Sequence, residues 1–136
     1  MPNGQVDLAT AQSLIDGAVK AATEMGLPIA AVVTDLGGHI VASARMDGVG
    51  FIMGEVARRK ATTSATFGAP THALAELAKS DALINDAFTG VDEIVVLAGG
   101  YPVVAGGGCV GGLGISGGHY TQDQAVAEKA LGVGSA

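Results

Sequence analysis

Tryptophan is absent from the chain, and other aromatics are scarce, with two Tyr and three Phe among 136 residues. A core of that kind must be built from closely packed Ala, Val, Leu and Ile. The single cysteine, Cys109, excludes an internal disulfide, so a reducing cytoplasm is the expected compartment. In its apolar surroundings Cys109 reads as a small core residue rather than a nucleophile. Positive charge is also short: seven Lys and Arg against 13 Asp and Glu leave a net charge of −6. Nucleic acid, which demands a basic footprint, is excluded as a partner. No apolar run approaches the ~18 residues of a membrane span, so no membrane partner is expected. The opening MPNGQVDLAT lacks the basic start and apolar stretch of a secretory signal. No CxxCH occurs, which excludes covalent haem attachment.

What is present is apolar and glycine-rich. Hydrophobic residues make up 49% and charged residues 15%, with 22 glycines. That composition specifies a globular chain, read as a single domain over residues 1–136. With so few charges to cover its surface, it is expected to hide part of that surface in a homo-oligomer.

Asp7 can cap a helix whose stripe is Leu8, Ala11, Leu14, Ala18, Ala22 and Met25, ended by Gly26 and Pro28. PIAAVVTD reads as a buried strand, and DLGGHIVASARM turns on Gly37-Gly38 and returns as a hairpin. After the loop DGVGFIM, the stretch GEVARRKATTSATF reads as a helix on which Glu55 and Arg59 can pair. APTHALAELAKSDALINDAFTG is a second, irregular helical segment. DEIVVLAG, YPVVA and CVGGLGIS follow as three strands joined by glycine turns. Thr121 and Gln124 suggest a capping box for the closing helix. Strands joined by tight turns are antiparallel, so the expected class is α+β, with helices packed on an antiparallel sheet.

Ten of the 22 glycines fall between Gly99 and Gly118. G-x-G-x-x-G occurs twice there, starting at Gly106 and Gly112, but neither match sits between a strand and a helix in a βαβ unit. No G-K-[ST] follows either, so dinucleotide and P-loop readings fail. Gly106–Gly108 read as a hairpin turn. Gly112 and Gly114 alternate with apolar residues in a strand, where missing side chains admit either another backbone or a flat ligand. Gly117 and Gly118 then lead to His119 and Tyr120 at a helix start, where free N–H groups favour an anion.

Asp35 is expected to cap its hairpin turn and Asp47 the loop before the next helix. Arg45, at a strand end, could clamp a carboxylate. Lys60 falls near an apolar helix stripe, and either snorkels to solvent or contacts a buried substrate. Cys109, His119 and Asp123 have no metal-motif spacing, so no metal site is expected.

Several segments together resemble the GlcG/HbpS-like family, which includes haem-degrading and PduO C-terminal-like proteins. They are AVVTDLGGHIVASARMDG, RRKATTSATFGAPT, AGGYPVVAGGGCVGGLGISGG and QDQAVAEKAL, in matching order over nearly the whole chain. The resemblance implies a profilin-like α/β/α fold: a five-stranded antiparallel sheet with helices on both faces. It also implies homo-oligomers, and haem binding in some members. The relative fused to a corrinoid adenosyltransferase uses a histidine in its N-terminal part, and this chain has none before His39.

Three functions follow as expectations. The first is a small-ligand protein holding haem or a related tetrapyrrole at the glycine-rich 106–120 region. His119 would be its axial ligand, and Gly112, Gly114, Gly117, Gly118 and Arg45 would line the site. The second is a cofactor-independent isomerase, hydratase or lyase of a small carboxylate. There His119 is the acid–base, Arg45 and the 117–121 amides hold the anion, and Tyr120 and Lys60 assist. The third is a non-catalytic accessory subunit.

Overall fold

The computed structural model describes residues 2–134. Helix α1 (Leu8–Glu24) starts where Asp7 accepts a hydrogen bond from Thr10 N at 2.8 Å, and its chain reverses at Gly26, φ +65°. Its buried face is Ala11, Ile15, Ala18, Ala21 and Ala22. Leu8 and Met25, at the two ends of the expected stripe, are exposed.

Strands β1 (Ala30–Thr34) and β2 (Ile40–Arg45) form the expected hairpin. Asp35 Oδ1 accepts from Gly37 N at 2.9 Å and His39 N at 3.0 Å, so its carboxylate caps the turn. Helix α2 (Phe51–Phe67) begins earlier than expected, taking Phe51–Met53 out of the loop. Its N-cap is Gly50 with no side-chain bond. Helices α3 (Thr71–Ser80) and α4 (Ala82–Thr89) follow, with Asp81 capping α4 through Leu83 N and Ile84 N. Strands β3 (Gly100–Ala105) and β4 (Gly108–Ser116) and helix α5 (Tyr120–Leu131) complete the order.

The sheet is antiparallel throughout, in the order β2-β1-β4-β3. Pro102 sits on the edge strand β3, where its missing N–H leaves no gap in an inner ladder. The sheet has four strands, not the five expected. Residues 92–99 (DEIVVLAG) are irregular, because their backbone finds a side chain instead of a strand. Thr63 Oγ1 donates to Glu93 O at 3.0 Å and accepts from Val95 N at 3.1 Å. A β-branched run becomes a strand only beside a ladder partner.

Successive side chains of β1 and β4 point to opposite faces, and each face has its own helices. Ala31, Val33, Leu113 and Ile115 pack with Ala18 and Ala22 of α1 and with Val126 and Ala127 of α5. Ala30 and Val32 pack with Ala57 of α2. Helices thus cover both faces, in the α/β/α layering expected.

Candidate functional site

Gly112 and Gly114 explain how α2 lies so close to the sheet. A Cβ at Gly112 would strike the Ala61 carbonyl oxygen, and one at Gly114 the Ala57 carbonyl oxygen. Small residues on both elements bring helix backbone against strand backbone. The space left by those two glycines therefore holds α2, and no flat ligand lies over them. Gly106–Gly108 turn at the opposite end of β4 from Gly117, so residues 106–120 do not form one pocket.

At the Ser116 end of β4 the chain bends on Gly117, φ +145°, a conformation that side-chain-bearing residues rarely adopt. Cβ atoms at Gly117 and Gly118 would meet Pro28 O and the Leu27 side chain, so both glycines serve chain packing. Of the 117–121 amides expected to bind an anion, those of Gly118, His119 and Thr121 are taken. Asp123 Oδ1 accepts from Gly118 N at 3.0 Å. Gln122 Oε1 accepts from His119 N at 3.0 Å, and His119 Nδ1 accepts from Thr121 N at 3.3 Å. The capping box is thus His119–Gln122, two residues before the expected Thr121–Gln124.

Lys60 does not snorkel. Its side chain is 1% exposed, and Nζ donates to Ile115 O at 2.8 Å and to Asp123 Oδ2 at 3.1 Å. Burial pushes the ammonium below the ordinary lysine value, opposed by the Asp123 charge. Burial likewise pushes the Asp123 carboxyl up, opposed by Lys60 and the Gly118 amide. Lys60 is a strut between α2, β4 and α5, closed off from substrate.

Arg45 is likewise separated from His119. Its register partner Ala30 belongs to the α2 face, and Arg45 lines a hollow of about 200 Å³ with Phe51, Glu55 and Arg58. One guanidinium nitrogen donates to Val49 O. His119 caps α5, on the other face of the sheet. Glu55 pairs with Arg59 at 4.0 Å as expected, though Arg58 lies closer to it at 3.3 Å.

A large recess lies between α3, the start of α4, residues 96–98 and the start of α5. This groove of about 960 Å³ is lined by Ala78, Leu97 and other apolar residues, with His72, Tyr120, Thr121 and Gln124 at its polar points. Its size and mostly apolar wall suit a small organic ligand. Tyr120 is in the wall, and the exposed His119 stacks on it with ring centroids 4.1 Å apart. Below the groove, Tyr101 Oη and Gln124 Nε2 both donate to Glu128 Oε2. Among the described residues no three His, Cys, Asp or Glu side chains converge as a metal site, and Cys109, His119 and Asp123 are not gathered into one.

The sequence profile of the haem-degrading HbpS-like proteins matches residues 6–132. The chain belongs to the HbpS-like family. It is 31% identical over 127 residues to an uncharacterised protein of the dhaT–dhaS intergenic region of Citrobacter freundii, covering 93% of this chain and 89% of that one. It is 29% identical over 119 residues, or 87% of this chain, to the corrinoid adenosyltransferase PduO of Salmonella typhimurium, but spans 35% of that protein's length. The crystal structure of a PduOC:haem complex superposes with a TM-score of 0.85 at 28% identity, covering 94% of each chain.

In this HbpS-like chain, then, the groove holds one sequence-predicted site residue, Tyr120, whose ring meets that of His119. Lys60, Arg45, Gly112, Gly114, Gly117 and Gly118 are engaged elsewhere. His72, Leu97 and Gln124 were missed. The signal for His72 was faint: a lone histidine in an irregular helical stretch carries no motif. Only the approach of β3 and α5 gives it surroundings.

Proposed function

We propose that the protein binds haem or a related tetrapyrrole in the α3–α5 groove, with His119 as axial ligand beside Tyr120. The observation that carries this reading is the mostly apolar groove of about 960 Å³ with an imidazole stacked on its tyrosine wall. The residues fit the group. His119 Nε2 has no partner among the described residues, and Nδ1 lies 2.8 Å from Thr121 Oγ1. Ligation through Nε2 places the proton on Nδ1, which then donates to that hydroxyl and gives up the cap bond from Thr121 N, so the ring exchanges its capping role for the support that a ligating histidine needs. Lys79 at the groove margin offers a cation to a propionate. Haem, when bound, supplies an iron centre for redox chemistry.

The same reading includes a cytoplasmic homo-oligomer. No helix of the described residues is long and apolar enough to cross a membrane. Helix α4 has no buried residue, Leu83 is 82% exposed and Phe51 76% exposed, which supports coverage by a second copy.

Haemin titration of the wild type and of His119→Asn tests the ligand reading. Asparagine preserves the cap and removes the imidazole. A saturable, red-shifted Soret band in the wild type, lost in the variant, is expected. A featureless titration, or one indifferent to the substitution, overturns it.

A further inference from the structure

Among the groove-lining side chains described, His72 alone holds a polar atom that is both sealed from solvent and without a hydrogen-bond partner. Gln124 Nε2 and Tyr101 Oη both donate to Glu128. Thr121 Oγ1 is engaged with His119 Nδ1, and Lys79 Nζ pairs with Glu76 at 3.2 Å. Neither ring nitrogen of His72 makes a hydrogen bond among the described residues. Its Nδ1 is sealed from solvent, its ring lies against Tyr101 with centroids 5.4 Å apart, and the residue lines the groove. Nε2 is therefore the nitrogen left to face the groove.

The sealed nitrogen decides the tautomer. A proton on Nδ1 would be a buried donor with no acceptor, which is costlier than an unpaired lone pair. The proton then sits on Nε2, and His72 presents an N–H rather than a lone pair to the groove. That excludes the ordinary metal-ligand arrangement, in which the second ring nitrogen donates to a supporting acceptor. We infer that His72 is a hydrogen-bond donor that recognises a carboxylate on the groove's ligand, while the iron-ligating role stays with His119. This deepens the haem reading and rests on it for the choice of ligand: the propionate side chains of a porphyrin supply the carboxylate. A free small acid carries the same chemistry.

The test compares haemin with its dimethyl ester, whose propionates are blocked, in the wild type, His72→Phe and His72→Gln. The wild type should bind haemin about tenfold more tightly than the ester, the effect of one hydrogen bond to a charged group. His72→Phe keeps the ring against Tyr101 and should bind both alike, with the Soret maximum unmoved. His72→Gln should keep part of the preference. Thermal melts of the variants confirm that they fold. Unchanged haemin affinity in His72→Phe overturns the inference and leaves the haem reading intact. A shifted Soret maximum in that variant also overturns it, by making His72 an iron ligand. If the wild type takes no haemin, the haem reading fails, and NMR of the His72 ring nitrogens decides the rest. A response of the Nε2–H signal to sodium propionate alone then supports recognition of a free acid. No response overturns carboxylate recognition as well.

Discussion

Lys60 and Asp123 meet inside the protein, Nζ to Oδ2 at 3.1 Å, with side chains 1% and 2% exposed. The pair links the middle of α2 to the first turns of α5, and through Ile115 O and Gly118 N it also holds the end of β4. Removing one partner leaves the other charge buried and alone. Lys60→Met should therefore cost about 3–5 kcal/mol, read from urea unfolding. Lys60→Met with Asp123→Leu should recover a large part of that loss. A single variant as stable as the wild type would show that the pair holds nothing together.

Gly114 is expected to be intolerant of even one methyl group. Its Cβ would enter the Ala57 carbonyl, so α2 would have to lift from the sheet. Gly114→Ala should lower stability by about 3 kcal/mol. Gly108, whose Cβ would meet nothing, is the control. Gly108→Ala should leave the melting temperature close to that of the wild type.

His119 carries a structural duty separate from any ligand. As N-cap of α5 it accepts from Thr121 N. His119→Ala should cost about 1 kcal/mol, and His119→Asn should restore it. Chemical denaturation of both variants without haemin distinguishes the cap from the ligand role.

The Glu128 carboxyl should show itself in the acid limb of stability. Burial raises it, but donation from Tyr101 and Gln124, with the nearby His72 imidazole, outweighs burial and leaves it below the ordinary glutamate value. A depressed carboxylate stabilises the fold above its unfolded value, ~4.3, and that contribution is lost as pH falls through the lower folded value. Glu128→Gln should therefore be less stable than the wild type at neutral pH, with the difference shrinking below pH ~4. A constant difference across that range would remove the linkage.

How much of this was legible beforehand follows from where each partner lies in the chain. Asp7, Asp35 and Gly26 act on backbone within four residues of themselves, and the sequence alone placed all three. The buried run of β1 and the tight turns between consecutive strands likewise determined an antiparallel α+β fold, because a short turn can only return the chain alongside itself. The family, too, was readable from motif order. Tertiary structure decided the rest. Lys60 finds its acceptors 55 and 63 residues away, so nothing near it in sequence distinguishes a strut from a snorkelling side chain. DEIVVLAG has strand-forming residues but lies against Thr63 without a ladder. The missing side chains of Gly112 and Gly114 signalled a close approach but not its occupant, which proved to be α2. His72 became a groove residue only when α3, β3 and α5 converged. Local chemistry determined the elements of this protein; contacts distant in sequence decided which of its polar groups were left free to meet a ligand.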